Sequence, residues 1–278
     1  LEYDHLDFFK TESQYVAAFR NLINQVPSRG RIIYNRDFPM NRSVVSNSYA
    51  PLISYGSDGE DCDYRICNIR FEDGHYYFDL KNRIRERMHH FKSPLLGRYN
   101  IWNLAAGIIL GFELGLEEHV IAEAVLGFNG VERRLNRIRE IGNTVFLEDF
   151  AHHHTAVRNT LASVNEAYPE KSQLVLFEPG SFSIKRAEFQ EQLINALAEG
   201  ERIWIKNPFE KKGPRDHQLD IDCIVKSLSD RGKEVVLFEN FDDLKTHLSE
   251  LDFNRNQVVT LLSNKRFGDI PYFIKFTL

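Results

Sequence analysis

Apolar positions along the first quarter of the chain recur at helical spacing. Tyr15, Ala18, Phe19, Leu22 and Ile23 share one face of 11–25, which predicts a helix, and 31–35 (RIIYN) reads as a short buried strand. From Cys62 to Leu80 the period shortens to two. RICNIRF and HYYFDL flank Glu72-Asp73-Gly74, and Asp-Gly suits a hairpin whose central residues need positive φ. Helical spacing returns through 93–116, where Ala105, Ala106 and Gly107 are small enough for close packing, and again over 117–128. After Gly130 the pattern becomes a regular alternation. Apolar runs at 145–150, 173–179, 202–208, 234–240 and 257–263 are separated by helical stretches at 154–167, 185–199, 219–231 and 241–251. That alternation predicts an α/β fold with a parallel, doubly wound sheet covered on both faces. The change of pattern predicts a boundary near 130–135, with domains 1–133 and 134–278.

Composition narrows the function. The 278 residues carry 35 Lys and Arg against 40 Asp and Glu, a net charge of −5, so no overall basic field invites nucleic acid. No apolar run is long enough to span a bilayer; the longest candidate, 101–116, contains Asn103 and Glu113. Cys62, Cys67 and Cys223 have neither finger-like spacing nor a disulfide-framework pattern, which favours a reducing, cytoplasmic setting. The chain begins with Leu1 and shows no signal-peptide pattern, so it reads as a piece of a longer protein or a processed one.

In an open α/β sheet, ligands gather beyond the carboxyl ends of the strands. Those ends read Glu148-Asp149-Phe150-Ala151-His152-His153-His154, then Glu178-Pro179-Gly180-Ser181, Lys206-Asn207-Pro208 and Ser263-Asn264-Lys265-Arg266. The histidine run admits metal ligation, but adjacent residues diverge, and capping or hydrogen bonding is the favoured reading. Asp149, ending a buried strand, either binds a ribose hydroxyl or an arginine or caps the helix that follows. Arg133 and Arg134 offer a phosphate clamp or an ordinary salt bridge. Asn100 and Asn103, spaced i, i+3, suit an adenine edge, with N-capping by Asn100 as the alternative. In 1–7 (LEYDHLD), carboxylates around His5 suit a divalent ion beside phosphates.

In order, EYDHLD (2–7), GRYNIWNLAAGI (97–108), GVERR (130–134), EDFAHHHTAV (148–157) and EPGSFSIK (178–185) resemble the Mur ligases, the ATP-dependent ligases of peptidoglycan precursor synthesis. The FAHHHT run and the EPGS loop are most similar to the recycling branch, which joins L-alanyl-γ-D-glutamyl-meso-diaminopimelate to UDP-N-acetylmuramate. The muramate–L-alanine ligases stand next. The resemblance implies that 1–133 is the later part of a central ATPase domain, with mixed strands and helices, and 134–278 a Rossmann-like C-terminal domain. It implies ATP and magnesium as cofactors, UDP-N-acetylmuramate and a peptide as substrates, and the N-terminal part of the same protein as partner. By the same resemblance His5 approaches magnesium, Asn100 and Asn103 contact adenine, Arg134 reaches the ATP phosphates, and Asp149 contacts the nucleotide. Arg134, His152 and His153 are the catalytic candidates, and Glu178, Ser181, Lys185 and Arg186 the substrate-binding ones. The reaction it implies activates a carboxylate as an acyl phosphate, which an amine then attacks.

The chain departs from the family pattern at several positions. No G-x-x-G-K-[ST] phosphate loop occurs in these 278 residues, so the chain alone is expected to be inactive. Tyr99 replaces a usual His, His154 a usual Pro, and Gly180 the Arg of the recycling branch, with Lys185 and Arg186 as nearby substitutes. SNKRFGDI (263–270) replaces a glycine-rich loop. The missing phosphate loop motivates a second hypothesis, a non-catalytic module that binds a nucleotide or muropeptide. A dinucleotide-dependent oxidoreductase is disfavoured because no G-x-G-x-x-G follows a predicted strand.

Overall fold

In the first of two units, Leu1–Asn129, helix formation starts at a polar cap. Thr11 accepts the Gln14 amide at 3.3 Å and Glu12 sits in the first turn of α1 (Glu12–Ile23). The buried face of α1 is aromatic: Tyr15 meets the rings of Tyr3, Phe9 and Phe19 edge-on at 5.0–5.8 Å. The structure is a computed structural model and describes residues 1–57, 61–181, 183–209 and 217–278.

β1 (Ile32–Asn35), α2 (Pro39–Val45), β2 (Leu52–Gly56), β3 (Tyr64–Glu72), β4 (His75–Asn82) and β5 (Arg87–Ser93) follow, forming a five-stranded sheet in sequential order. β1, β2 and β3 run parallel, whereas β3–β4 and β4–β5 are antiparallel. The expected hairpin turn is present, with Asp73 and Gly74 at φ 50° and 73°. Along β4 the alternation is strict: Tyr76, Phe78 and Leu80 are fully buried while 75, 77, 79 and 81 face outward. They pack under α3 (Tyr99–Glu113) and α4 (Glu118–Gly127) through Ile101, Ile108, Ile109 and Ile121. The close approach between these helices is made at Gly111, where a Cβ would stand 3.0 Å from the Ile121 side chain; Gly107, the residue the sequence suggested, has open space.

The second unit, Gly130–Leu278, holds β6 (Asn136–Ile141), β7 (Thr144–Asp149), α5 (His154–Ala167), β8 (Ser172–Glu178), α6 (Gln190–Leu197), β9 (Arg202–Lys206), α7 (Ile221–Asp230), β10 (Glu234–Phe238), α8 (Phe241–Ser249), β11 (Gln257–Ser263) and α9 (Ile270–Phe276). Strand order is β10-β9-β8-β11-β7-β6. The first five are parallel, as expected; β6 adds an antiparallel edge. Its sequence, NRIREI, is too charged to read as a core strand, and charge is how edge strands resist further pairing. The stretch expected to be one helix from 185 is instead two short 3₁₀ turns, Ser183–Lys185 and Ala187–Phe189, before α6.

Both faces of this sheet are buried. Val175 and Phe177 of β8 point into the layer of α5, α6 and α7, and Leu174 and Leu176 into that of α8 and α9. With its faces sealed, the sheet can present polar groups only at the strand ends.

Candidate functional site

The carboxyl ends of β8, β9, β10 and β11 surround a cavity of about 480 Å³. Glu178, the last residue of β8, is buried and accepts the Ser263 hydroxyl at 2.6 Å. Lys206 ends β9; its ammonium donates to the Asn207 carbonyl at 2.8 Å and lies 5.5 Å from the centre of the Phe241 ring. Asn207 reaches across to Glu239, just beyond β10, at 3.0 and 3.2 Å. Lys265, two residues past β11, completes the wall. Lys185 enters from the first 3₁₀ turn, which Ser181 starts by accepting the Ile184 amide at 3.3 Å. The Lys185 ammonium is pushed below its ordinary range by burial first, then by Lys265 and Lys206, with Glu178 opposing.

Of the expected substrate residues, Glu178 and Lys185 line this cavity, while Ser181 acts on the backbone beside it. Arg186 is not in the wall; its guanidinium faces Glu188 at 3.6 Å. Phe182, within the 178–185 motif, lies outside the described residues. The strand-end rule marked Lys206, Asn207 and Lys265, yet no family motif singled them out. Glu239 and the rings of Phe209 and Phe241 gave no sequence signal, because only the strand order brings them here.

The two arginines have separate fates. Arg133, at φ 60°, donates to Glu148 at 3.1 Å and to the carbonyls of Ser263 and Lys265, pinning the segment after β11. Burial raises the Glu148 pKa, and Arg133 opposes that rise. Arg134 is exposed and lies over Phe150 at 5.6 Å, so its guanidinium faces solvent and fits an anion. Asp149 is 1% exposed and does not cap α5. Its oxygens accept the backbone amides of Leu135 at 2.8 Å and Ala151 at 2.7 Å.

His153 occupies the N-cap position of α5 without a side-chain capping bond. The His153 and His154 rings lie 4.1 Å apart and each rests on Phe189. His152 Nδ1 is 3.0 Å from the Phe150 carbonyl, so that nitrogen carries the proton and Nε2 is the ring's basic atom when neutral.

In the first unit, Asn100 is the second residue of α3 and Arg98 holds the cap position. Its amide donates to the Leu96 carbonyl at 2.7 Å and its oxygen accepts from Asn103 at 3.2 Å, so the exposed Asn103 is the member able to meet an adenine edge. His5 is exposed at φ 58°, its amide bonded to Asp4. Among the described residues no three His, Cys, Asp or Glu gather to hold a metal. A magnesium ion at His5 would therefore draw most of its ligands from phosphate oxygens and water.

Residues 1–111 match the Mur ligase middle domain. Over most of its length the chain is similar in sequence to curated Mur ligases. It is 26% identical to the UDP-N-acetylmuramate–L-alanine ligase of Christiangramia forsetii over 90% of the chain and 53% of that relative. The same identity holds to the ligase of that name from Caldicellulosiruptor saccharolyticus, over 100% of the chain and 60% of the relative. The chain thus spans little more than half the length of these curated Mur ligases. Among solved structures it resembles the UDP-N-acetylmuramate–alanine ligase of Thermotoga maritima (TM-score 0.75, 18% identity, 97% of this chain and 56% of that one). It also resembles a murein peptide ligase of Psychrobacter arcticus (TM-score 0.65, 18% identity, 100% and 55%). These Mur ligase structures bear out the α/β architecture expected for both units. No helix among the described residues is long and apolar enough to cross a membrane.

Proposed function

We propose that the protein is part of a cytoplasmic, ATP-dependent carbon–nitrogen ligase of peptidoglycan synthesis or recycling. It joins the carboxylate of UDP-N-acetylmuramate to the amine of L-alanyl-γ-D-glutamyl-meso-diaminopimelate or a similar peptide. The observation that carries this reading is the cavity at the strand ends, where Lys185, Lys206 and Lys265 complement carboxylates while Glu178 and Glu239 complement an ammonium. A peptide bearing a free amine and carboxylates matches both signs of charge. The L-alanine branch is the second reading, favoured by the names of the curated relatives.

ATP, when bound, supplies the phosphoryl group that converts the carboxylate into an acyl phosphate. Arg134 would hold the anionic oxygens, Asn103 the adenine edge, and His5 one magnesium position. Asn100 would act through Asn103, and Asp149 by fixing the backbone on either side of Phe150. His152 Nε2 would accept a proton as the amine attacks, with His153 shaping the entry to α5. The missing phosphate loop and sugar-binding region would come from the N-terminal part of the same protein.

The full-length polypeptide, given ATP, magnesium, UDP-N-acetylmuramate and the tripeptide, should release ADP in step with amide product. Arg134→Ala should lower turnover at least about 100-fold without unfolding the chain. Near-normal turnover in that variant would remove Arg134 from the site. ADP-free binding of nucleotide or muropeptide by the wild type would establish the binding-module alternative instead.

A further inference from the structure

The wall of the cavity nearest β8 has an unusual construction. A Cβ at Gly180 would collide with the Asn264 side-chain oxygen and stand 3.0 Å from Lys265 Cγ, so the segment after β11 fills the volume that a side chain at 180 would take. The segment is anchored on both sides of that contact. The Lys265 amide donates to Ser263 Oγ at 2.9 Å, its carbonyl accepts from Arg133, and Ser263 is itself bonded to Glu178. Lys265 therefore springs from fixed backbone into the cavity.

The charges there are unbalanced in a specific way. The two carboxylates have neutral partners: Glu178 takes the Ser263 hydroxyl and Glu239 the Asn207 amide. None of the three lysines makes an ion pair with a described residue. With three ammonium groups against the carboxylates of Glu178 and Glu239, the wall is left net positive. An amine bearing two carboxylates is net negative and complements it, whereas a zwitterion with one carboxylate carries no net charge. Lys185 holds its proton less tightly than usual, through burial first and then through Lys265 and Lys206 against the opposing Glu178, in keeping with that arrangement.

We propose that Lys265, seated by the packing of Asn264 against Gly180, is a specificity-determining residue that reads a second carboxylate on the amine-bearing substrate. This rests on the ligase reading above and deepens it. A peptide with two carboxylates satisfies the lysine cluster, whereas a monocarboxylate amino acid does not. A side chain at 180 and Lys265 in the cavity are then alternatives, since they compete for the same volume.

Two dipeptides that differ in one charge test this, L-alanyl-D-glutamate and L-alanyl-D-isoglutamine, each titrated calorimetrically into the full-length protein with UDP-N-acetylmuramate and a non-hydrolysable ATP analogue. The wild type should bind the dicarboxylate at least about tenfold more tightly, the scale of one charge-assisted hydrogen bond. Lys265→Met should erase that preference and Lys265→Arg should restore it. No preference in the wild type, or a preference that survives in Lys265→Met, overturns the assignment. Amine-dependent ADP release, assayed in parallel, reports on the ligase reading separately. A preference without ADP removes that reading and keeps Lys265; ADP without a preference does the reverse.

Discussion

The two ends of the second unit's sheet are built from similar residues and treat them in opposite ways. At the amino ends, Arg202 opens β9, Gln257 opens β11 and Thr144 opens β7, and all three are buried. They are bonded to one another: Arg202 donates to Gln257 Oε1, and the Gln257 amide donates to Thr144 Oγ1 at 2.9 Å and to the Asp252 carbonyl at 2.9 Å. At the carboxyl ends, Lys185, Lys206 and Lys265 face a cavity and make no ion pair among the described residues. A polar group bonded within the protein stabilises the fold and is unavailable to a ligand. One left facing solvent adds little stability and retains its capacity to bind. The internal bonding of each residue, more than its charge, therefore separates the scaffold from the candidate site.

Asp149 tests that distinction most severely, since it lies at the carboxyl end but is bonded like a residue of the amino end. Both oxygens hold backbone amides in a place with almost no solvent. Asp149→Ala would leave two buried N–H groups without acceptors and delete two charge-assisted bonds, for an expected loss of about 4 kcal/mol. Urea unfolding of wild type and variant would measure it. A loss below about 1 kcal/mol, together with weaker nucleotide binding, would move Asp149 from scaffold to ligand contact.

Gln257→Ala carries the next largest effect, about 3 kcal/mol. It strips the Arg202 guanidinium and the Thr144 hydroxyl of their shared partner inside a buried region. Burial already lowers the Arg202 pKa, so this cation depends strongly on its partners. Substrate affinity should be unchanged in the variant, because the whole sheet separates Gln257 from the cavity. A change in affinity as large as the change in unfolding midpoint would break the comparison between the two ends.

The sequence revealed those elements whose patterning is local. α5 spans His154–Ala167, matching the stretch expected from its apolar spacing, and the Asp73-Gly74 turn follows from the φ demands of a tight hairpin. β5 was hidden because its inward face includes His89, a polar residue whose ring lies tilted against Phe112 at 4.5 Å. β6 was hidden by its charge. The site was legible only in part for a related reason. The strand-end rule pointed to Lys206 and Lys265, but their convergence depends on β11 inserting between β7 and β8, which no local pattern encodes. Asn100 and Arg133 looked as available as Asn103 and Arg134, and only their internal hydrogen bonds separate the members of each pair.

The smallest expected effect has the opposite sign. The Lys185 pKa is lowered in the folded protein, by burial first and by neighbouring lysines second. Between that lowered value and the ordinary value of 10.5, the unfolded chain binds more protons than the folded one, so stability rises with pH across this window. Below it, the charged ammonium is a standing destabilisation. Lys185→Met should therefore stabilise the protein at pH 7.5, by no more than about 0.5 kcal/mol because solvent still reaches the group. The gain should disappear as pH approaches 10.5, while peptide binding falls at every pH. Unfolding midpoints at pH 7.5 and 10.5 decide the matter. A variant less stable than wild type at both would mean that Lys185 is bonded into the fold, and the contrast between the two ends of the sheet would fail at its most crowded cation.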